Sequence, residues 1–303
     1  MKLGHIVEYV AFQTTAFLVM LLPLSGARWL GRNLGAFVFD FTGYRKEVTL
    51  GNLRRAFPEK SDDEIAQIAR GAYKNVGITL FEILWYPRMS REQVSESMHF
   101  DHPDVVRNAY KKGKGLLILT AHFGNWELLG GCLVVEFGFP VAGIARTQAN
   151  RLVDRSINER RLRFGNKVIP METSLREVMR ALRAGEAVGI VADQAAPKEN
   201  VLIEFFGTKL PTHQGPSVFS LKMGSPLVAV FSVRRPDGSY DAYVEEVPSA
   251  DLTEYNDENV TELTRRHVKI TEDFIRRFPD QWMWMHKRWK HVPPESDRTR
   301  KNS

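Results

Sequence analysis

His122 and Glu127 stand five residues apart, a reach at which a histidine and a carboxylate can cooperate to take a proton from a hydroxyl. They sit where the pattern of the chain changes. Residues 115–120 are a short aliphatic run that predicts a buried strand of an α/β sheet, and Trp126–Phe137 has the apolar content of a helix. Polar residues at the carboxyl end of a strand, ahead of a helix, are where open α/β sheets place their sites. In that setting Glu127, in the first helical turn, can fold back on the imidazole. A carboxylate on one ring nitrogen fixes the tautomer and stabilises the imidazolium formed when the other nitrogen takes a proton. A plainer reading of the same pair is a capping histidine and a glutamate suited to a helix N-terminus. Between the two, Gly124 allows close backbone approach, Asn125 is a good N-cap, and Trp126 offers apolar surface at the mouth of the site.

The elements that must position this pair can be read on either side of it. Ser61-Asp62-Asp63-Glu64 has the form of a capping box, and the helix it opens runs toward Trp85 with Ile65, Ile68, Ala69, Ala72 and Val76 at helical spacing. Glu82 lies on the strongly apolar last stretch of that helix, where it can bind an arginine, cap or snorkel. Beyond the central helix, residues 140–145 form a second apolar run ending in Arg146. The segment 151–164 is helical and holds Arg151, Arg155, Arg160, Arg161 and Arg163. Residues 187–192 are another buried strand, delivering Asp193 and Gln194 at its carboxyl end. Gly215-Pro216-Ser217 opens a further helix, and Pro236-Asp237-Gly238-Ser239 is a hairpin signal. A long basic helix follows over 260–278. The fold class this predicts is α/β, a single domain with a mixed sheet flanked by helices.

Composition narrows the function classes. The chain has 303 residues, a net charge of +6 and one cysteine, Cys132, which sits on the apolar helix after Glu127 and reads as a buried structural thiol. An excess of positive charge suits an anionic partner: nucleic acid, anionic lipid or an acidic carrier protein. Metal hydrolysis and nucleotide chemistry lack their usual handles, since Gly-x-Ser-x-Gly, His-Glu-x-x-His and Gly-x-Gly-x-x-Gly are all missing. The Lys111-Lys112-Gly113-Lys114-Gly115 cluster lacks the order of a phosphate loop and reads as a solvated turn. From residue 9 to 27 no side chain is charged, a span of the length needed to cross hydrocarbon. Only Lys2 precedes it as a cation and no cleavage site stands out, so residues 1–28 are expected to form an uncleaved transmembrane or interfacial anchor. Arg28, Arg32, Arg45, Lys46, Arg54 and Arg55 follow it, which puts residues 29–303 on the cytoplasmic side. Residues 293–303 read as a polar tail.

His122-Phe-Gly-Asn-Trp-Glu127 resembles the His-x4-Glu signature of the bacterial lipid A late acyltransferases, distant relatives of the glycerolipid acyltransferases. The likeness extends along the chain. It includes Asn52 with Ala56-Phe57-Pro58, Arg146 followed by Arg161-x-Arg163-Phe-Gly165, Asp193-Gln194, Phe205-Phe206-Gly207, and the block from Trp282 through Trp284, His286 and Arg288 to Trp289-Lys290. The resemblance implies O-acyl transfer without a covalent intermediate, with His122 as base and Glu127 orienting it. It implies acyl-acyl carrier protein as donor and a hydroxyl of a Kdo-lipid A precursor as acceptor, at the bacterial inner membrane. Neither a metal nor a cofactor is implied. Arg146, Arg161 and Arg163 would line the acceptor site, where a planar guanidinium can grip phosphate. Asn125, Asp193 and Gln194 join them as substrate-binding candidates, Asp193 orienting an arginine or holding its loop. Backbone N–H groups near Gly124 and Asn125, or a site arginine, would hold the oxyanion. The aromatic and cationic tail is taken as a lipid and phosphate surface rather than a nucleic-acid patch. Two other readings stand beside this one: an acyl-CoA-dependent acyltransferase of a glycolipid such as phosphatidylinositol mannoside, and an anionic-lipid-binding membrane protein without chemistry.

Overall fold

The computed structural model describes residues 3–292; the polar tail at 293–303 and the cation Lys2 lie outside the described residues. Three helices lead in: α1 (Leu3–Met20), α2 (Leu24–Phe37) and α3 (Lys46–Ala56). The long α4 (Asp62–Trp85) and α5 (Arg91–Ser97) follow, then β1 (Met98–Phe100), α6 (Pro103–Lys111), β2 (Leu116–Thr120), α7 (Trp126–Phe137), β3 (Val141–Ala145), α8 (Arg151–Arg161) and β4 (Lys167–Pro170). The second half runs α9 (Ser174–Arg183), β5 (Ala187–Val191), β6 (Leu202–Phe205), β7 (Thr208–Pro211), α10 (Gly215–Met223), β8 (Leu227–Arg234), β9 (Tyr240–Glu246) and α11 (Asp257–Arg277). As the sequence predicts, this is an α/β fold with a mixed sheet between helices. The strand order is β1-β9-β8-β2-β5-β3-β4; β9 is antiparallel to β8, and the other neighbours are parallel. Strands β6 and β7 form a separate hairpin, turning at Phe206 and Gly207, both at positive φ.

The central strand is buried along its whole length, which explains why its sequence is continuously apolar rather than alternating. Leu116 and Ile118 pack with Leu129, Cys132 and Leu133 of α7, whereas Leu117 and Leu119 join the larger core with Phe231, Phe274 and the tail tryptophans. Cys132 is buried, and burial pushes its thiol up to about 12, in keeping with an inert structural group. Helix α4 opens with the expected capping box of Ser61 and Glu64.

The uncharged amino-terminal run is not one helix. It breaks after Met20, and Pro23 precedes α2. Among the described residues, helix α1 alone is long and apolar enough to cross a membrane; Leu3, Val7, Val10, Phe17 and Leu18 point outward. Its inner side touches the domain: Asn150 donates to His5 O and Glu8, and Ser156 to Gln13. Helix α2 lies against α4 at glycine contacts, where a Cβ on Gly31 would come within 2.5 Å of Gly77 O. That close approach is what brings Arg28 to α4.

The tail corrects an expectation. Trp282, Trp284 and Trp289 are 1%, 0% and 5% exposed, and Arg288 is buried beside Phe205. The block is a core element; only Lys287 and Lys290 of it are fully exposed. Burial removes three large aromatic surfaces from water, a larger gain than holding them on a surface. Asn52 donates to Trp284 O and His286 O, so two of the motifs that carry the resemblance are joined in space.

Candidate active site

Strands β2 and β5 are parallel neighbours in the register Thr120↔Val191. Residues two further on, 122 and 193, therefore emerge side by side at the carboxyl edge of the sheet. His122 Nδ1–H donates to Asp193 Oδ1 at 2.8 Å, and the backbone N–H of His122 donates to Asp193 Oδ2 at 3.0 Å. The indole N–H of Trp282 donates to the same Oδ2 at 2.7 Å. A carboxylate with three such donors is fixed in place and strongly favours its ionised form. Burial alone would raise the Asp193 carboxyl, but the His122 charge and these hydrogen bonds hold it down at about 2. Burial would likewise lower His122, yet the Asp193 charge and bond, with the charge of Glu127, outweigh it and raise the imidazole above its ordinary value.

The partner of His122 is thus Asp193, not Glu127. Among the described residues no hydrogen bond joins Glu127 to the imidazole. Glu127 instead takes a bidentate grip on Arg161, from Nε at 2.8 Å and Nη2 at 2.6 Å. Two parallel charge-assisted bonds satisfy both carboxylate oxygens, leaving little reason to turn back to the ring. With Nδ1 donating to Asp193, Nε2 is the acceptor nitrogen, and the Gln194 amide donates to it at 3.3 Å. Trp126 stands edge-on to the imidazole, ring centroids 5.0 Å apart.

The loop between His122 and α7 is gripped on its backbone. Gly124 N–H donates to Gln281 O, Met283 N–H to His122 O, and Asn125 N–H to Ser232 Oγ. The donors at Gly124 and Asn125 are therefore committed and do not serve an oxyanion; Arg161 is the candidate that stays. Asn125 is corrected as a substrate-binding residue. It is 1% exposed, its amide donates to Glu82 and its oxygen caps α7 at Leu128 N–H. Gly124 has φ +53°, and a Cβ there would lie 1.8 Å from Ser232 O. Gly124→Ala is expected to lower stability by more than the about 1–3 kcal/mol of a left-handed non-glycine residue, read as a fall in unfolding temperature.

Other sequence candidates fall outside this cluster. Arg146 is exposed after β3, its charge acting on Glu172, and Arg163 donates to Met89 O and lies over Phe164. Neither lines the apolar cavity of about 110 Å³ that Glu127, Arg161 and Trp126 share with Gly130, Gly143 and Val191. A second apolar groove, about 420 Å³, runs between Leu34, Val76, Leu80, Met283, Met285 and His286. His286 borders the site as well, its Nε2 accepting the Ala195 N–H at 3.1 Å. Arg234 escapes a sequence reading because nothing local marks it; its guanidinium donates to Glu82, a residue distant in sequence.

A carboxylate-held histidine at a sheet edge, opening beside apolar cavities, is the equipment of an enzyme that moves a proton next to a hydrocarbon chain. The chain's residues 2–291 match the family model described as bacterial lipid A biosynthesis acyltransferase. The chain belongs to that family and is an acyltransferase. It is 28% identical over 278 residues to the lipid A biosynthesis palmitoleoyltransferase of Escherichia coli K12, covering 90% of this chain and 87% of that protein. It is 28% identical over 283 residues to the lauroyltransferase of the same organism, covering 91% and 89%. A phosphatidylinositol mannoside acyltransferase of Mycolicibacterium smegmatis is 23% identical over 273 residues, covering 88% and 83%. The reading as a lipid-binding protein without chemistry falls with the family.

Proposed function

We propose that this protein transfers a fatty acyl chain from acyl-acyl carrier protein to a hydroxyl of a Kdo-lipid A precursor, with His122 as general base and Asp193 as its orienting carboxylate. The observation that carries the proposal is the Nδ1 bond to Asp193, which leaves Nε2 as the proton acceptor on a ring beside Trp126, itself a wall of the apolar cavity. Nε2 takes the proton as the hydroxyl oxygen attacks the thioester carbonyl. The C–O bond forms, the tetrahedral oxyanion collapses with loss of the C–S bond, and the imidazolium returns its proton to the departing thiolate. Asp193 stabilises the imidazolium in between. Arg161, held in place by Glu127, lines the cavity and serves the oxyanion or an acceptor phosphate. Family membership and the two transferases of Escherichia coli support a lipid A type acceptor. The net charge of +6 supports an acidic carrier, and the apolar outer side of α1 supports anchoring at the inner membrane with the domain in the cytoplasm.

The test is an assay with radiolabelled acyl-acyl carrier protein or acyl-CoA, offered against Kdo-lipid A precursor or phosphatidylinositol mannoside. Turnover only with the mannoside and CoA would overturn the substrate reading. The 110 Å³ cavity is proposed to receive the acyl chain. A Cβ added at Gly143, on its wall, meets nothing within 4 Å. Gly143→Val should therefore fold and shift selectivity toward shorter donors by at least about tenfold in kcat/KM. An unchanged chain-length profile would place the chain elsewhere.

A further inference from the structure

Glu82 is a buried carboxylate with four partners from four elements. Arg28 Nε donates at 2.6 Å and Arg234 Nη1 at 2.9 and 2.8 Å, while the Tyr240 hydroxyl donates at 2.5 Å and the Asn125 amide at 2.7 Å. The two arginines suffice to neutralise it. The Asn125 bond is different in kind, because Asn125 lies between His122 and Glu127 and caps the helix that carries Glu127. Glu82 does not act alone on that loop. Asn75, Thr79 and Glu82 share one face of α4 at helical spacing, and Thr79 Oγ1 and Asn75 Nδ2 both donate to Gly124 O, at 2.8 and 3.4 Å. Arg234 ties the three together, donating to Asn75 Oδ1 and Thr79 Oγ1 as well as to Glu82. One helix face thus fixes two consecutive residues of the loop that begins at His122.

We infer that Glu82 is a positioning residue for acyl transfer, acting through its hydrogen bond to Asn125 on the start of α7 and on the placement of Trp126 and the Glu127–Arg161 pair against His122. The inference rests on the site proposed above. Misplacing reacting groups by about 1 Å can cost about 10²-fold, so the bond is worth more to turnover than to folding. An ion pair that only stabilises the fold would show the reverse balance.

The experiment uses the full chain in mild detergent, with kcat and KM referred to the folded fraction from circular dichroism. Glu82→Gln and Asn125→Asp each remove the amide-to-carboxylate bond, and Asn125→Asp keeps a good N-cap. Each is expected to lower kcat about 10–100-fold with KM within about threefold. The double variant restores a donor and a carboxylate in exchanged positions and should recover at least about a tenth of wild-type kcat. Arg28→Met breaks a part-buried bond to the same carboxylate without touching the loop. It should lower the unfolding temperature and leave kcat per folded molecule within about threefold. Equal loss of kcat in Arg28→Met and Glu82→Gln would overturn the inference, as would wild-type kcat in Asn125→Asp, which decides alone if Glu82→Gln does not fold. Full turnover in His122→Ala would sink the base assignment instead, a separate result.

Discussion

His122→Ala is expected to lower kcat by about 10²–10⁴-fold while the protein stays folded, because it removes the group that accepts the hydroxyl proton. Asp193→Asn is expected to fall nearly as far and to carry a signature of its own. An asparagine amide placed against Nδ1 favours the wrong tautomer, putting the proton on the nitrogen that must receive one. It also removes the leading cause that raises His122, leaving burial to lower it. The sign follows. A general base works when neutral, so wild-type activity falls as pH drops through the raised imidazole value. In Asp193→Asn the acid limb of kcat/KM should move to lower pH even as the plateau drops. Glu127→Gln removes a lesser contribution and should move that limb less. A larger displacement for Glu127→Gln than for Asp193→Asn would return the orienting role to Glu127.

That contest between two carboxylates marks where the sequence ceases to be sufficient. The strand before His122, the helix after it, and the delivery of Asp193 and Gln194 at the end of β5 are all legible from apolar runs and their boundaries. The pairing is not. Glu127 is five residues away along the chain, whereas Asp193 becomes a neighbour only through the parallel register of β2 and β5. Local spacing therefore favours the wrong partner, and Arg161, which the resemblance marks as an acceptor-site arginine, takes up Glu127. Glu82 shows the same limit: its apolar setting on α4 allows an arginine partner, a cap or snorkelling, and the partner Arg234 is 152 residues away along the chain. Asn125 is legible as a cap because capping is local, and the structure gives it that role. The tail carries a local signal of its burial. Trp282 and Trp284 alternate with Met283 and Met285 at the period of an extended chain, a pattern that fits an inward-facing strand-like segment, and in the structure Trp282 forms a bridge with Phe123.

Trp284→Ala is expected to cost about 3–5 kcal/mol of stability, the largest structural effect of any single tail substitution. The side chain is fully enclosed, stacked parallel to Trp289, edge-on to Trp282 at 4.6 Å and against Phe57 at 5.8 Å. Its indole N–H donates to Pro279 O at 2.6 Å, so truncation opens a cavity and also strips a part-buried acceptor of its donor. The loss propagates, because the adjacent residues hold the site: Trp282 bonds Asp193 and Met283 bonds His122 O. The variant should show a large drop in unfolding temperature with little change in binding to anionic vesicles. A tryptophan on a lipid-facing surface would give the opposite pair of results, weaker vesicle binding at unchanged stability, and that outcome would restore the reading of the tail as a membrane surface.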